Sequence, residues 1–195
     1  MPPIQVPSMQ VEWTQLLLPI LLSTIAVFIV SSIIHMVLQM HKGDHKRLPN
    51  EDEVRDAIRR GAAAPGQYMI PHCYHSKGGP TPEDVKRFTE GPVGFLYLRE
   101  SGMPKLGPFL GAWILYSAIV TVLAAYMAQS TLDKGDSYLS VFRVVSMSAW
   151  LAYAWASPSD SIWKCKPWAV TLRSLFDGLV YASVTAGIFA WLWPR

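Results

Sequence analysis

The chain has 195 residues, 51% of them hydrophobic and 16% charged, with a net charge of +3 and a pI near 8.9. The apolar residues gather into uninterrupted blocks and leave too little polar sequence to wrap a water-soluble core, which excludes a soluble globular domain as the main reading. The basic balance is not that of a nucleic-acid binder: residues 41–105 hold 11 Lys and Arg against 9 Asp and Glu, and a nucleic-acid surface needs bases without matching acids.

In chain order, residues 16–34 carry no charge over 19 positions, residues 106–132 none over 27, residues 144–159 none over 16 and residues 178–194 none over 17. A helix needs about 20 residues to cross the hydrocarbon of a bilayer. The third run lengthens backward through residues 138–142 if Arg143 snorkels, and the fourth gains a turn if Asp177 lies at headgroup level. The expected fold is an all-α membrane protein, with four transmembrane helices in an antiparallel bundle. The spans are residues 16–40, 106–128, 138–157 and 174–193. An N-terminal tail covers residues 1–15, a small cytoplasmic cap 41–105 and a cytoplasmic loop 158–173.

Nothing before Glu12 is charged. The basic segment that opens a cleaved secretory signal is missing, so the first run is expected to stay as an anchor. Pro19 is expected in the opening turn of that span, where it costs little. Past the span, His41 and His45 are expected to continue the helix for one more turn.

Residues 41–105 and 158–173 hold 11 and 3 of the 17 Lys and Arg, respectively. Basic loops stay on the cytoplasmic side, so both termini should lie outside. Within the first of these segments, residues 50–61 read as a short amphipathic helix. Asn50 and Glu53 have capping-box spacing, and Gly61 stops the helix. Thr81 caps a second helix, with Pro82 at its first position and Gly91 at its end. Residues 95–99 alternate weakly and can pair as a strand with residues 68–70.

Two groups of side chains could carry chemistry. The first is His41, His45, His72, Cys73 and His75. His41 and His45 are four residues apart and on a helix share a face, the spacing of a metal-ligand pair. Cys73 between His72 and His75 suggests a thiol nucleophile, although no orienting acid is visible. His35 is the one histidine within or beside a span, which argues against a bis-His haem. The second group lies around the last loop: Asp160 and Trp163, with Arg173 and Asp177 spaced as a helix-surface ion pair. Charges at membrane depth mark functional positions by default.

Gly178, Ala182, Ala186 and Ala190 recur every fourth residue. Small residues in register let helices approach closely in lipid, either within the chain or between copies. Ser146, Ala149, Ala152 and Tyr153 are the expected counterparts. Cys73 and Cys165, both on the expected cytoplasmic side, argue against a structural disulfide. There is no Gly-rich phosphate loop, no HExxH and no GxSxG.

Two blocks carry a resemblance. One is Ala64-Pro65-Gly66-Gln67-Tyr68-Met69 with Pro71-His72-Cys73. The other runs from Asp160-Ser161-Ile162-Trp163-Lys164 through Pro167-Trp168 to Asp177-Gly178-Leu179-Val180-Tyr181 and Thr185-Ala186-Gly187. Together they resemble a group of small multi-pass bacterial inner-membrane proteins. The resemblance implies a bacterial inner membrane and supplies no activity, cofactor or partner.

The leading expectation is a non-enzymatic accessory or scaffold subunit, in contact with lipid and with another membrane subunit or a second copy. A small transporter or channel using a polar path at Asp177, Arg173 and His35 is the first alternative. A metal- or thiol-dependent enzyme at His72, Cys73 and His75 is the second. Neither a cofactor nor a nucleic-acid partner is expected; a bound metal is expected, if anywhere, at His41, His45, His72, Cys73 and His75.

Overall fold

In the computed structural model the described residues are 10–73 and 79–195. Their elements in order are α1 (Trp13–Ser32), a π-helical turn (Ile33–Val37), α2 (Glu51–Arg60), β1 (Gly66–Ile70), α3 (Pro82–Glu90) and β2 (Gly94–Leu98). The long helices α4 (Leu106–Thr131) and α5 (Tyr138–Ala154), the short α6 (Ser157–Trp163) and the long α7 (Trp168–Trp191) complete the chain. Among the described residues, four stretches are long and apolar enough to cross a membrane: Trp13–Val37, Leu106–Thr131, Tyr138–Trp163 and Trp168–Trp191. That is compatible with a multi-pass membrane protein. Leu17, Ile25, Leu115 and Leu123 are among the apolar side chains left exposed, a surface suited to lipid.

Helix α1 starts earlier than the apolar run suggests. Glu12 N–H donates to Gln15 Oε1 at 3.1 Å and Gln15 N–H donates to the Glu12 carbonyl at 3.0 Å. This reciprocal cap places Trp13 at the first helical position. Pro19 is therefore the seventh residue and lies inside the helix, correcting its assignment to the opening turn. It is buried there, and α1 continues through it.

One compact unit contains α1, the π-helical turn, α4, α5 and α7. Helix α5 packs along α7, and α1 packs on both α4 and α7. Ala124, Ala128, Val145, Ala149, Ala186 and Phe189 are central to its core. Helix α7 lies close against α5 at Gly178, where an added Cβ would stand 2.5 Å from Ala154 Cβ. Only hydrogen fits between those backbones. At one end of the unit, Gln129 Nε2 donates to the Val11 carbonyl at 2.9 Å, and Trp193 Nε1 donates to the Asp133 carbonyl at 2.9 Å. These bonds tie the segment before α1, the turn after α4 and the segment after α7 to each other.

The second compact unit holds α2, β1, α3 and β2. The strands are antiparallel, with Tyr68 opposite Leu96 and Ile70 opposite Gly94. Neither α2 nor α3 has a buried residue. Thr81 and Asp84 form the cap of α3: Asp84 N–H donates to Thr81 Oγ1 at 3.2 Å, and Thr81 N–H donates to Asp84 Oδ2 at 2.9 Å. Asn50 precedes α2 but makes no side-chain cap bond. Its backbone, at φ −109° and ψ 53°, is not in the extended conformation from which a cap reaches back. The acids Glu51, Asp52 and Glu53 favour that helix end through the dipole instead.

Replacing Gly178 with Ala should push α5 from α7, and overpacking of this kind costs about 1–3 kcal/mol. The expected outcome is a lower thermal midpoint in mild detergent, read by the loss of the monodisperse chromatographic peak. Gly187→Ala is the control, since an added Cβ there meets only Tyr138 Oη at 3.8 Å. An unchanged midpoint for Gly178→Ala would count against the close contact.

Candidate functional site

The candidate site is built where α1 stops being regular. Beyond Ser32 the backbone widens into a π-helical turn, closed by Leu38 N–H donating to the Ile33 carbonyl at 3.0 Å. Single π turns inside α-helices are frequent at functional sites because the extra residue re-aims the side chains beside it. His35 sits in this turn, with Nδ1 3.0 Å from the Ser31 carbonyl. Only a protonated Nδ1 can bond a carbonyl, so Nε2 keeps its lone pair in the neutral ring. Gln39 then adopts φ +50°, a left-handed conformation that ends the helix. The chain turns back over residues 40–43.

That reversal brings His41 onto His35. Their rings stack with centroids 4.5 Å apart and planes within 3°. His41 Nε2 lies 2.8 Å from Asp177 Oδ2, and His35 Nε2 lies 4.0 Å from the same oxygen. One nitrogen from each histidine and one carboxylate oxygen all fall within 4.8 Å of one another. The site is graded in exposure: the Asp177 side chain is 7% exposed, His41 19% and His35 49%. The carboxylate is thus the most enclosed of the three and the His35 ring the least.

Asp177 heads a polar line on the buried face of α7, continued at four-residue intervals by Tyr181 and Thr185. Other helices add buried hydroxyls: Thr24 of α1 and Thr121 of α4 are hydrogen-bonded at 3.1 Å. The hydroxyls of Ser23 and Tyr181 are enclosed without a hydrogen-bond partner among the described residues. Enclosed polar groups of this kind are ordinarily met by water or a ligand. Trp113 Nε1 donates to Ser31 Oγ at 2.8 Å, bracing α1 against α4 beside the turn that carries His35. A cavity of about 530 Å³ opens there, with Phe28, Met36, Phe109 and Trp113 among its apolar lining and His35 on its wall.

The other sequence candidates are dispersed. His41 and His45 do not share a helical face, because the helix ends at Leu38; this corrects the expected continuation. His45 is exposed in the following bend, and His75 lies outside the described residues. Cys73 lies beside Asp84. Loss of hydration, then the hydrogen bond to Asp84 and its negative charge, push the Cys73 thiol up. That is the wrong direction for a thiolate nucleophile. Asp84 is held low, chiefly by the Thr81 backbone and hydroxyl and then by the Cys73 thiol.

Around the last loop, Asp160 pairs with Lys164 at 2.8 Å and Trp163 is 77% exposed. Arg173 is half-buried on α7, one turn before Asp177. Gly178, Ala182, Ala186 and Ala190 are all buried, with Gly178 against Tyr153 and Ala154 of α5. The partnership of His35, His41 and Asp177 had no local signal. The buried line of Asp177, Tyr181 and Thr185 was also missed, although its four-residue spacing was there to be read.

Comparison with protein-family models, characterised proteins and solved structures finds no match for this chain.

The raised Cys73 pKa has a kinetic consequence. In a Cys165→Ser background, alkylation of Cys73 should be slower at pH 7.5 than for an ordinary thiol and should keep rising beyond pH about 8.5, the usual cysteine value. Asp84→Asn removes the neighbouring charge and should shift the rate profile toward lower pH. A profile centred below the ordinary value would contradict the assignment.

Proposed function

We propose that the protein is an integral membrane protein that binds a small cation at His35, His41 and Asp177 and conducts or carries it across the bilayer. The observation that carries this reading is a carboxylate enclosed inside a membrane-length helix and met by two imidazoles. Ionisable groups at membrane depth are expensive, and they mark ion pathways more than they stabilise a fold. The line of Asp177, Tyr181 and Thr185, with the hydroxyls of Thr24 and Thr121, offers oxygen atoms along the interior beyond the site.

The four spans are read as an antiparallel bundle with both termini outside. The hydrogen bonds joining Val11, Gln129, Asp133 and Trp193 support this arrangement. The basic segments 41–105 and 158–173 then lie in the cytoplasm, and the resemblance favours a bacterial inner membrane. An accessory-subunit role is placed second. The small-residue seam that motivated it is filled by α5, so a partner would need another face.

Two measurements test this reading. A C-terminal alkaline phosphatase fusion should be active and a C-terminal green fluorescent protein fusion dark, as expected for an external C-terminus; the reverse pattern would overturn the orientation. In proteoliposomes loaded with cation indicators, the native protein should give flux that Asp177→Asn abolishes and His45→Ala leaves intact. Absence of flux for every cation with the folded native protein removes the transport reading.

A further inference from the structure

Resting on that reading and narrowing it, we infer that the cation is a divalent first-row transition metal, with zinc as its first candidate, held by His35 Nε2, His41 Nε2 and one Asp177 oxygen. Two imidazole nitrogens and one carboxylate oxygen form a borderline donor set. It suits zinc, iron, cobalt and nickel, and it discriminates against calcium and magnesium, which require oxygen ligands. A single carboxylate among hydroxyls would have suited a hard ion. The two imidazoles decide the class.

The geometry is that of a site needing small adjustments. Metal–ligand bonds of about 2.0–2.2 Å put tetrahedral ligands about 3.3 Å apart. The three ligand atoms already lie within 4.8 Å of one another. The closest pair, His41 and Asp177, stands at 2.8 Å, so an ion between them spreads these ligands by about half an ångström.

The surroundings also match a metal ligand set. A ligating histidine commonly gives its second ring N–H to a carbonyl, which fixes the tautomer and aims the lone pair. His35 does this through Nδ1 to the Ser31 carbonyl at 3.0 Å. Ser31 is in turn fixed by Trp113, whose Nε1 donates to Ser31 Oγ at 2.8 Å. Three protein ligands leave a fourth position open for water or another ligand, unlike the closed four-ligand set of structural zinc. His35, half exposed, is the point of access.

The test uses the full-length protein in mild detergent, stripped with a chelator and reloaded with zinc alone. One zinc per chain is expected after desalting, by elemental analysis. Cobalt in its place should give visible d–d bands of four-coordinate intensity. His35→Ala, His41→Ala and Asp177→Asn should each weaken zinc binding at least tenfold, while His72→Ala retains it. His35 is exposed enough that its variant folds even if Asp177→Asn does not, and circular dichroism checks each.

Substoichiometric zinc in the folded native protein would overturn the inference, as would zinc retained equally by His35→Ala and His41→Ala. The two proposals fail separately. Flux of other cations in vesicles held in chelator would overturn the metal assignment and leave transport standing. One bound zinc without flux of any cation would support the site and remove the transport reading.

Discussion

Enclosing the Asp177 carboxylate among apolar helices is the constraint on which the rest of the arrangement depends. A buried carboxylate left without a partner is costly, and removing one partner from a buried pair commonly costs about 3–5 kcal/mol. Asp177 is 5% exposed, next to Gly178, which lies against Ala154 of α5. Withdrawing it toward solvent would separate that contact, because Gly178 is fixed against Ala154. The helix cannot move, so a partner has to come to the carboxylate. His41 is that partner, brought from the chain beyond α1.

Bringing it requires a break in a membrane-length helix. Irregular backbone near the hydrocarbon is tolerated when it is packed within protein or lines a polar cavity. Here the π-helical turn and the left-handed Gln39 supply the break, and the residues that follow serve the site. The Ser31 carbonyl accepts from His35, and the Leu38 N–H closes the widened turn. Backbone polarity exposed by the irregularity is thus used to orient an imidazole.

The long helices were legible because long charge-free runs have hardly any place in a water-soluble fold, and α3 because Thr81, Pro82 and Gly91 act within one short segment. The pairing of residues 68–70 with the strand before Arg99 was also readable from alternation. The site was only partly legible. At the helical period, His35 and His41 stand about 120° apart around the axis, so sequence spacing assigns them to different faces and pairs His41 with His45. A π turn followed by a left-handed residue reverses that assignment, and nothing in Ile33–Val37 marks it in composition. Asn50 shows the opposite error: the right residue at the right spacing, with a backbone conformation that keeps its side chain from capping. Local chemistry was readable where the backbone was regular, and misleading where tertiary contact bent it.

The charge of the proposed metal complex bears on what the site can do. A divalent ion on one carboxylate and two neutral imidazoles leaves one net positive charge, since histidine binds a metal as the uncharged imidazole. Holding that charge between apolar helices is unfavourable, which limits affinity relative to a closed site with two anionic ligands. A resident structural ion gains nothing from such a limit. A cation that must enter and leave requires it, because conduction depends on binding strong enough to admit the ion and weak enough to release it. The exposure gradient from His35 to Asp177 points the same way, since the ion can exchange one ligand at a time. Within the proposed reading, the donor set and the uneven burial suit an ion in transit rather than one that stays.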